Sequence, residues 1–152
     1  MSFHDYLVKN IFEVLGMHHS HANGLLAVAK GYVKDEHGNL LNCGLHGMLS
    51  GDSGVVSSIK DMECWCLAIL NNLLLRQETW KQCFYIINER YGMGFEKFDH
   101  WIGHNGGMPG ISTRERLHLP SKTAIILLSN TPNPHRDILK EIMQHIDIGD
   151  QN

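Results

Sequence analysis

The apolar positions of this chain change their period near its middle. Phe3, Tyr6, Leu7, Ile11, Val14 and Leu15 recur at three- and four-residue intervals, and Gly16 follows where a helix carrying them would stop. The spacing predicts an amphipathic helix over the first fifteen residues. "GYVKDEHGNLL" alternates around Asp35 to Asn39 and predicts a short hairpin within a Gly- and His-rich passage. Ser57 or Ser58 then stands where a hydroxyl can accept hydrogen bonds from the free amides of a helix over residues 59–72. Its apolar face would carry Met62, Trp65, Leu67, Ile69 and Leu70, with Asp61 in the first turn favouring the helix dipole. A second helix is expected over residues 77–87. From Tyr91 the period becomes that of strands: "YGMGFEKF", "HWIGHNG", "GISTRERLHL" and "TAIILLS" follow one another with Gly, Pro or Ser-Lys between them. Connections this short pair strands antiparallel, since a parallel return needs about a dozen residues. Pro134 opens a last helix through "HRDILKEIMQHI", with Ile138, Leu139, Ile142 and Ile146 as its buried stripe.

The order predicts an α+β fold, an antiparallel sheet packed with helices. One domain over residues 1–152 is expected: helices and loops over 1–90, antiparallel strands over 91–130 and a C-terminal helix over 134–147. With 152 residues, 43% of them hydrophobic, the chain can build a single core. Its 13 Lys and Arg against 16 Asp and Glu include no basic block, which argues against nucleic acid as a partner. No apolar run is long enough to span a membrane, and "MSFHDYLVKNIF" lacks the basic leader and cleavage site of an export signal. The expectation is a cytoplasmic protein if this is the entire product, and a periplasmic or extracellular one if it derives from an exported parent. Cys43, Cys64, Cys66 and Cys83 lack C-x-x-C spacing and are expected as buried free thiols.

Four stretches carry residues with chemical potential. "HHSHANG" offers His18, His19 and His21 and resembles the start of the H-x-H-x-D-H signature of zinc hydrolases, yet Asn23 and Gly24 replace its aspartate and final histidine. It reads as a polar loop, and no metal or cofactor is expected. In "CWC" the thiols of Cys64 and Cys66 point apart on a helix, so core packing is expected. Ser57-x-x-Lys60 fits the pattern in which a lysine activates a nucleophilic serine, against a plain reading as helix cap and exposed lysine, which is preferred. "GHNGGMPGIS" sets His104 and Asn105 among glycines that let a strand come close to another backbone or a ligand. It is either a site or a Gly-rich hairpin with an exposed histidine.

Six stretches in order, "IFEVLGM", "KGYVKDEHGNL", "GVVSSIKDM", "YGMGF", "GHNGGMPGIS" and "TAIILLSNT", resemble the C-terminal half of the serine β-lactamase and penicillin-binding-protein superfamily. The likeness is to its class C, D-alanyl-D-alanine carboxypeptidase and esterase branch, and covers nearly the whole chain. It implies that His104-Asn105-Gly106 is the His-x-Gly motif on a cleft-lining strand, with His104 in place of a more usual lysine. His104 would then be the catalytic-site residue that holds a substrate carboxylate or polarises a tetrahedral intermediate, and Asn105, Gly106 and Gly107 would bind substrate. His104 and Asn105 are expected at the end of a strand beside a groove. By the same register "SSIKD" matches a Ser-Thr-x-x-Asp helix start away from the catalytic serine. The S-x-x-K nucleophile and the Tyr-x-Asn motif would precede "LGM" and are absent from these residues.

The resemblance thus implies part of a serine hydrolase acting on β-lactam, D-peptide or ester bonds through an acyl-enzyme, inactive by itself. The alternative is a non-catalytic binding or scaffold domain on the same fold. In "TAIILLS" no face is polar, so this strand is expected to be covered on both sides. Its outer edge would then associate with a missing N-terminal half or with another copy.

Overall fold

Ser2 starts the first helix by accepting from the Asp5 amide at 3.1 Å while the Asp5 carboxylate accepts from the Ser2 amide, a reciprocal cap. In this computed structural model, which describes residues 1–22, 29–43, 52–85, 87–88, 90–131 and 135–146, that helix runs as α1 (Phe3–Leu7), a π segment (Val8–Phe12) and α2 (Glu13–Leu15). Gly16 ends it at φ 69°, a left-handed conformation that glycine adopts without penalty. The inward stripe differs from the expected one: Phe12 is buried with Leu7, Val8, Ile11 and Leu15 partly covered, whereas Phe3, Tyr6 and Val14 face solvent. Val8 and Leu15 lie four and three positions from Phe12 on this face, and neither Phe12 nor Val8 belongs to the expected stripe.

A hairpin follows, β1 (Tyr32–Lys34) paired with β2 (Leu40–Asn42). Asp35 closes its turn by accepting from the amides of His37 and Asn39 and from the Asn39 side chain. Helix α3 (Ile59–Leu70) begins at Ser58, whose hydroxyl accepts from the Asp61 amide. Its buried positions are Asp61, Cys66, Ala68, Ile69 and Leu70, so Cys66 takes the inward place expected of Leu67, which is exposed. Helix α4 (Gln77–Phe84) is shorter than expected, since Tyr85 is already extended.

The sheet has four antiparallel strands in the order β3 (Glu96–Phe98), β4 (Trp101–Met108), β5 (Ile111–His118) and β6 (Thr123–Ser129). The run from Tyr91 is a strand only from Glu96, with Tyr91 held to Glu96 by an isolated bridge. Alternation along the strands divides the apolar side chains between two faces. Ile102, Leu117 and Ile126 pack with Cys66, Ile69, Leu70, Trp80 and Phe84 of α3 and α4. Trp101, Ile125 and Leu127 pack with Leu139, Ile142, Met143 and Ile146 of α5 (His135–His145) and the residue after it. The sheet therefore lies between two helical layers, an α+β fold. Met143 fills the place expected of Ile138, which is 45% exposed. Pro134, residue 86 and residue 147, on which parts of the helix expectations fell, lie outside the described residues.

All four cysteines are free, but only Cys66 is buried; Cys43, Cys64 and Cys83 are half-buried. Among the described residues no helix is long and apolar enough to cross a membrane.

Asp61 ties the N-terminal segment to α3. It is 2% exposed and accepts from the His19 amide at 2.7 Å and the Ser20 hydroxyl at 2.7 Å. Burial alone would raise its pKa, but the hydrogen bonds from Ser20 and His19 outweigh that and hold the carboxyl below its ordinary value. A group depressed in this way contributes stability above the unfolded pKa and loses it as pH falls through the folded one. Asp61→Ala is expected to cost about 2–3 kcal/mol at neutral pH, because buried donors lose a charged acceptor. The difference from the parent should shrink below about pH 4. Urea unfolding at the two pH values checks both parts.

Candidate active-site strand

Strand β4 takes its shape from close backbone contact with β5. A Cβ on Gly103 would run into the carbonyl of Glu115, so only glycine lets the two strands meet there. At Gly106 a Cβ would meet the Thr113 hydroxyl, whereas at Gly107 only the Ile111 carbonyl comes within 4.0 Å. Gly110 turns the chain into β5 at φ 79° and is packed against Gly31, Tyr32 and Cys43. Three of the four glycines in "GHNGGMPGIS" therefore answer contacts within the protein, and Gly107 alone leaves space.

His104 is the fourth of the eight residues of β4, not its end, because pairing with β5 continues to Met108↔Ile111. On its other side β3 pairs only with Trp101, Ile102 and Gly103. Among the described residues no strand covers the outer edge of residues 104–108. His104 shares the face of Ile102, towards α3 and α4, and its Nε2 lies 3.1 Å from the Tyr91 hydroxyl, with the rings edge to face at 5.8 Å. It does not line either of two concavities among the described residues. One, about 200 Å³, is lined by residues including Ile69, Trp80 and Lys122, and the other, about 750 Å³ and open, by Arg90, Lys97, Asp99 and His100.

Asn105 points to the opposite face. Its amide donates to Glu96 at 3.1 Å and its carbonyl oxygen accepts from Arg116 at 2.9 Å. Glu96 also pairs with Arg90 at 2.8 Å. The Arg116 guanidinium, 5% exposed, lies 3.4 Å over the Phe98 ring and donates to the carbonyls of Glu115 and His104. Burial lowers its pKa to about 10, against the pull of Glu96, so it remains a cation at neutral pH. Arg114 does for the Gly106 carbonyl what Arg116 does for that of His104, at 3.2 Å. His104 and Asn105 are thus adjacent in sequence but serve opposite faces.

Directly across from His104 stands Glu115, buried among α3 side chains and accepting from the Cys66 thiol at 3.2 Å. Burial pushes its carboxyl pKa up, and burial with the nearby carboxylate pushes the Cys66 thiol up as well. The Cys66 thiol is thus not the activated thiolate of a nucleophile.

Ser57 meets Ser20 at 2.7 Å and the Ser58 carbonyl, while Lys60 is exposed, so S-x-x-K here forms no nucleophile–base pair. His19 bonds Asp61, and His21 is bridged through its backbone to Val56. Asn23 and Gly24 lie outside the described residues. Tyr91, Glu96, Glu115 and Arg116 were missed in the sequence. The readable signal was "TRER" inside a strand flanked by two others, since charges on a central strand must find partners. For Tyr91 the sequence offered none.

If backbone contact sets the glycine pattern, Gly103→Ala should cost about 2–4 kcal/mol and Gly107→Ala less than about 1 kcal/mol. Denaturant midpoints of the two variants distinguish them; equal losses would remove the steric account.

A comparison with curated proteins finds no match. Among solved structures, the chain resembles a penicillin-binding protein from Bacillus halodurans with a TM-score of 0.83 and 20% identity, over 96% of this chain and 50% of that one. It resembles a class C beta-lactamase with a TM-score of 0.71 and 14% identity, over 99% and 53% of the two chains. An octameric penicillin-binding protein homologue from Pyrococcus abyssi matches with a TM-score of 0.71 and 20% identity, over 87% of this chain and 34% of that one. The chain thus spans about half the length of the first two. Its fold is theirs, and the sequence matches the Beta-lactamase family over residues 1–149. The chain belongs to the beta-lactamase family.

Proposed function

We propose that this chain supplies the cleft-lining strand of a serine hydrolase that cleaves β-lactam, D-peptide or ester bonds through an acyl-enzyme. The observation that carries this reading is the open edge of residues 104–108, where His104 stands beside backbone groups that no described strand pairs with. Such an edge can accept an extended acyl substrate as an added strand, and its amides can donate to an oxyanion. His104 is the residue proposed to meet the substrate carboxylate or the tetrahedral oxygen, with Gly106 on its face and Gly107 leaving room. Asn105, first expected to bind substrate, is proposed instead to hold the strand, since both ends of its amide are engaged by Glu96 and Arg116.

The nucleophile is proposed to come from outside these residues. The engagement of Ser57 by Ser20 and Ser58 supports this, as does the chain's span of about half of its structural neighbours. In acyl transfer the serine oxygen bonds to the carbonyl carbon as its proton passes to a base. The leaving group then departs with a proton, and water releases the acyl group. A binding domain without catalysis has no observation in its favour over this reading.

On its other side the sheet ends at β6, whose outer edge has no strand partner among the described residues and whose Leu128 is 40% exposed. We propose that a complementing segment or a second copy covers it; the octameric state of the Pyrococcus abyssi homologue supports the second.

Two experiments test these proposals. Treated alone with penicillin or a fluorophosphonate, the chain should show no added mass; a covalent adduct would mean that it holds its own nucleophile. Joined to an upstream segment carrying S-x-x-K and Tyr-x-Asn, it should support labelling of that segment's serine. His104→Ala should slow that labelling by about 10²–10³-fold. Light scattering at micromolar concentrations should find the isolated chain associated, and a stable monomer would show that it covers the β6 edge by itself.

A further inference from the structure

The contact between Tyr91 and His104 decides which donor the histidine can offer. Tyr91 is anchored on both sides through its backbone. Its amide donates to the Asn88 carbonyl at 2.9 Å, and its carbonyl accepts from the Ile87 amide at 3.0 Å. Next to it Gly92 is wedged so tightly that a Cβ there would lie 2.6 Å from the Tyr85 carbonyl and 2.9 Å from that of Cys83. The phenol is thereby held 3.1 Å from His104 Nε2, the one hydrogen bond formed by that ring among the described residues. His104 in turn is fixed from behind by Arg116 on its carbonyl and by its strand pairing with Glu115.

A phenolic O–H is a stronger donor than a neutral imidazole N–H. The bare ring nitrogen of imidazole is in turn a stronger acceptor than a phenolic oxygen whose lone pair is shared with its ring. The favoured pairing is therefore O–H···Nε2, which leaves the proton of neutral His104 on Nδ1. We propose that Tyr91 is a positioning residue that locks His104 as the Nδ1–H tautomer, so that Nδ1–H is the donor free to meet a ligand along the β4 edge. The tautomer follows from the geometry of the two side chains. Its use towards an acyl oxygen or carboxylate rests on the function proposed above.

The imidazole nitrogens of the full chain, labelled with heavy nitrogen, can be read directly at alkaline pH by long-range proton–nitrogen correlation. The His104 signals are identified by their loss in His104→Gln. Without any ligand the parent should show the Nδ1–H pattern. Tyr91→Phe, which keeps the ring and removes the hydroxyl, should shift the ratio towards Nε2–H by about fivefold, the weight of one net hydrogen bond. Its melting temperature should fall by no more than the few degrees that one net hydrogen bond is worth, so the shift in ratio is read in a folded variant. Should that variant fail to fold, Tyr91→Leu is the second; the same shift is expected. An Nε2–H histidine in the parent, or an unchanged ratio in the folded variant, would overturn the proposal. Because the spectrum is recorded without substrate or nucleophile, its failure is distinct from a failure of the hydrolase reading, which shows only in labelling.

Discussion

A guanidinium buried beneath an edge strand has to be answered by everything around it, and Arg116 organises this end of the sheet for that reason. It lies 3.4 Å over the Phe98 ring of β3, donates to the His104 carbonyl of β4 and to the carbonyl of its own neighbour, Glu115, and meets the Asn105 side chain. Among the described residues no carboxylate bonds it directly. Its charge is balanced through Asn105 by Glu96, which is also held by Arg90. Stripping one partner from a buried charge of this kind costs about 3–5 kcal/mol, far more than any exposed pair would. The three strands meet where this cation is satisfied, and the backbone beside His104 is held there through its carbonyl.

The architecture was legible where sequence pattern and packing ask for the same residues. "TAIILLS" became β6 with its expected bounds, and Ser58 capped α3 with Asp61 in the first turn, because a hydroxyl before an apolar period satisfies free amides in almost any context. The faces were less legible. Leu67 and Ile138 were expected inside and lie outside, displaced by Cys66 and Met143. Hydrophobicity ranks leucine above cysteine, but only the helix phase decides which of them meets the sheet.

The site was half legible for a similar reason. A histidine among glycines is conspicuous, and the family likeness gave it a role. The glycines were read together as room for another backbone or a ligand; Gly103 is required by the Glu115 carbonyl and Gly110 by a turn with positive φ, so the backbone is the reason at both. A glycine that spares a ligand and one that spares a backbone look alike until the neighbouring strand is in place. Tyr91 reaches His104 across thirteen positions from an irregular segment, with no periodic pattern to announce it.

The spacing His-x-Gly acquires a physical meaning in this arrangement. Along a strand, positions two apart share a face, so His104 and Gly106 belong to one side of β4 and the intervening Asn105 to the other. The face towards α3 and α4 then carries the histidine and a glycine whose missing Cβ makes room for the Thr113 hydroxyl, while the middle residue is released for the scaffold. Here it is spent on the Glu96–Arg116 link beneath the strand. Both ends of the amide at that middle position are engaged within the protein. The strand separates two tasks that the sequence writes side by side: presenting His104, and keeping the carbonyl and amides around it from moving.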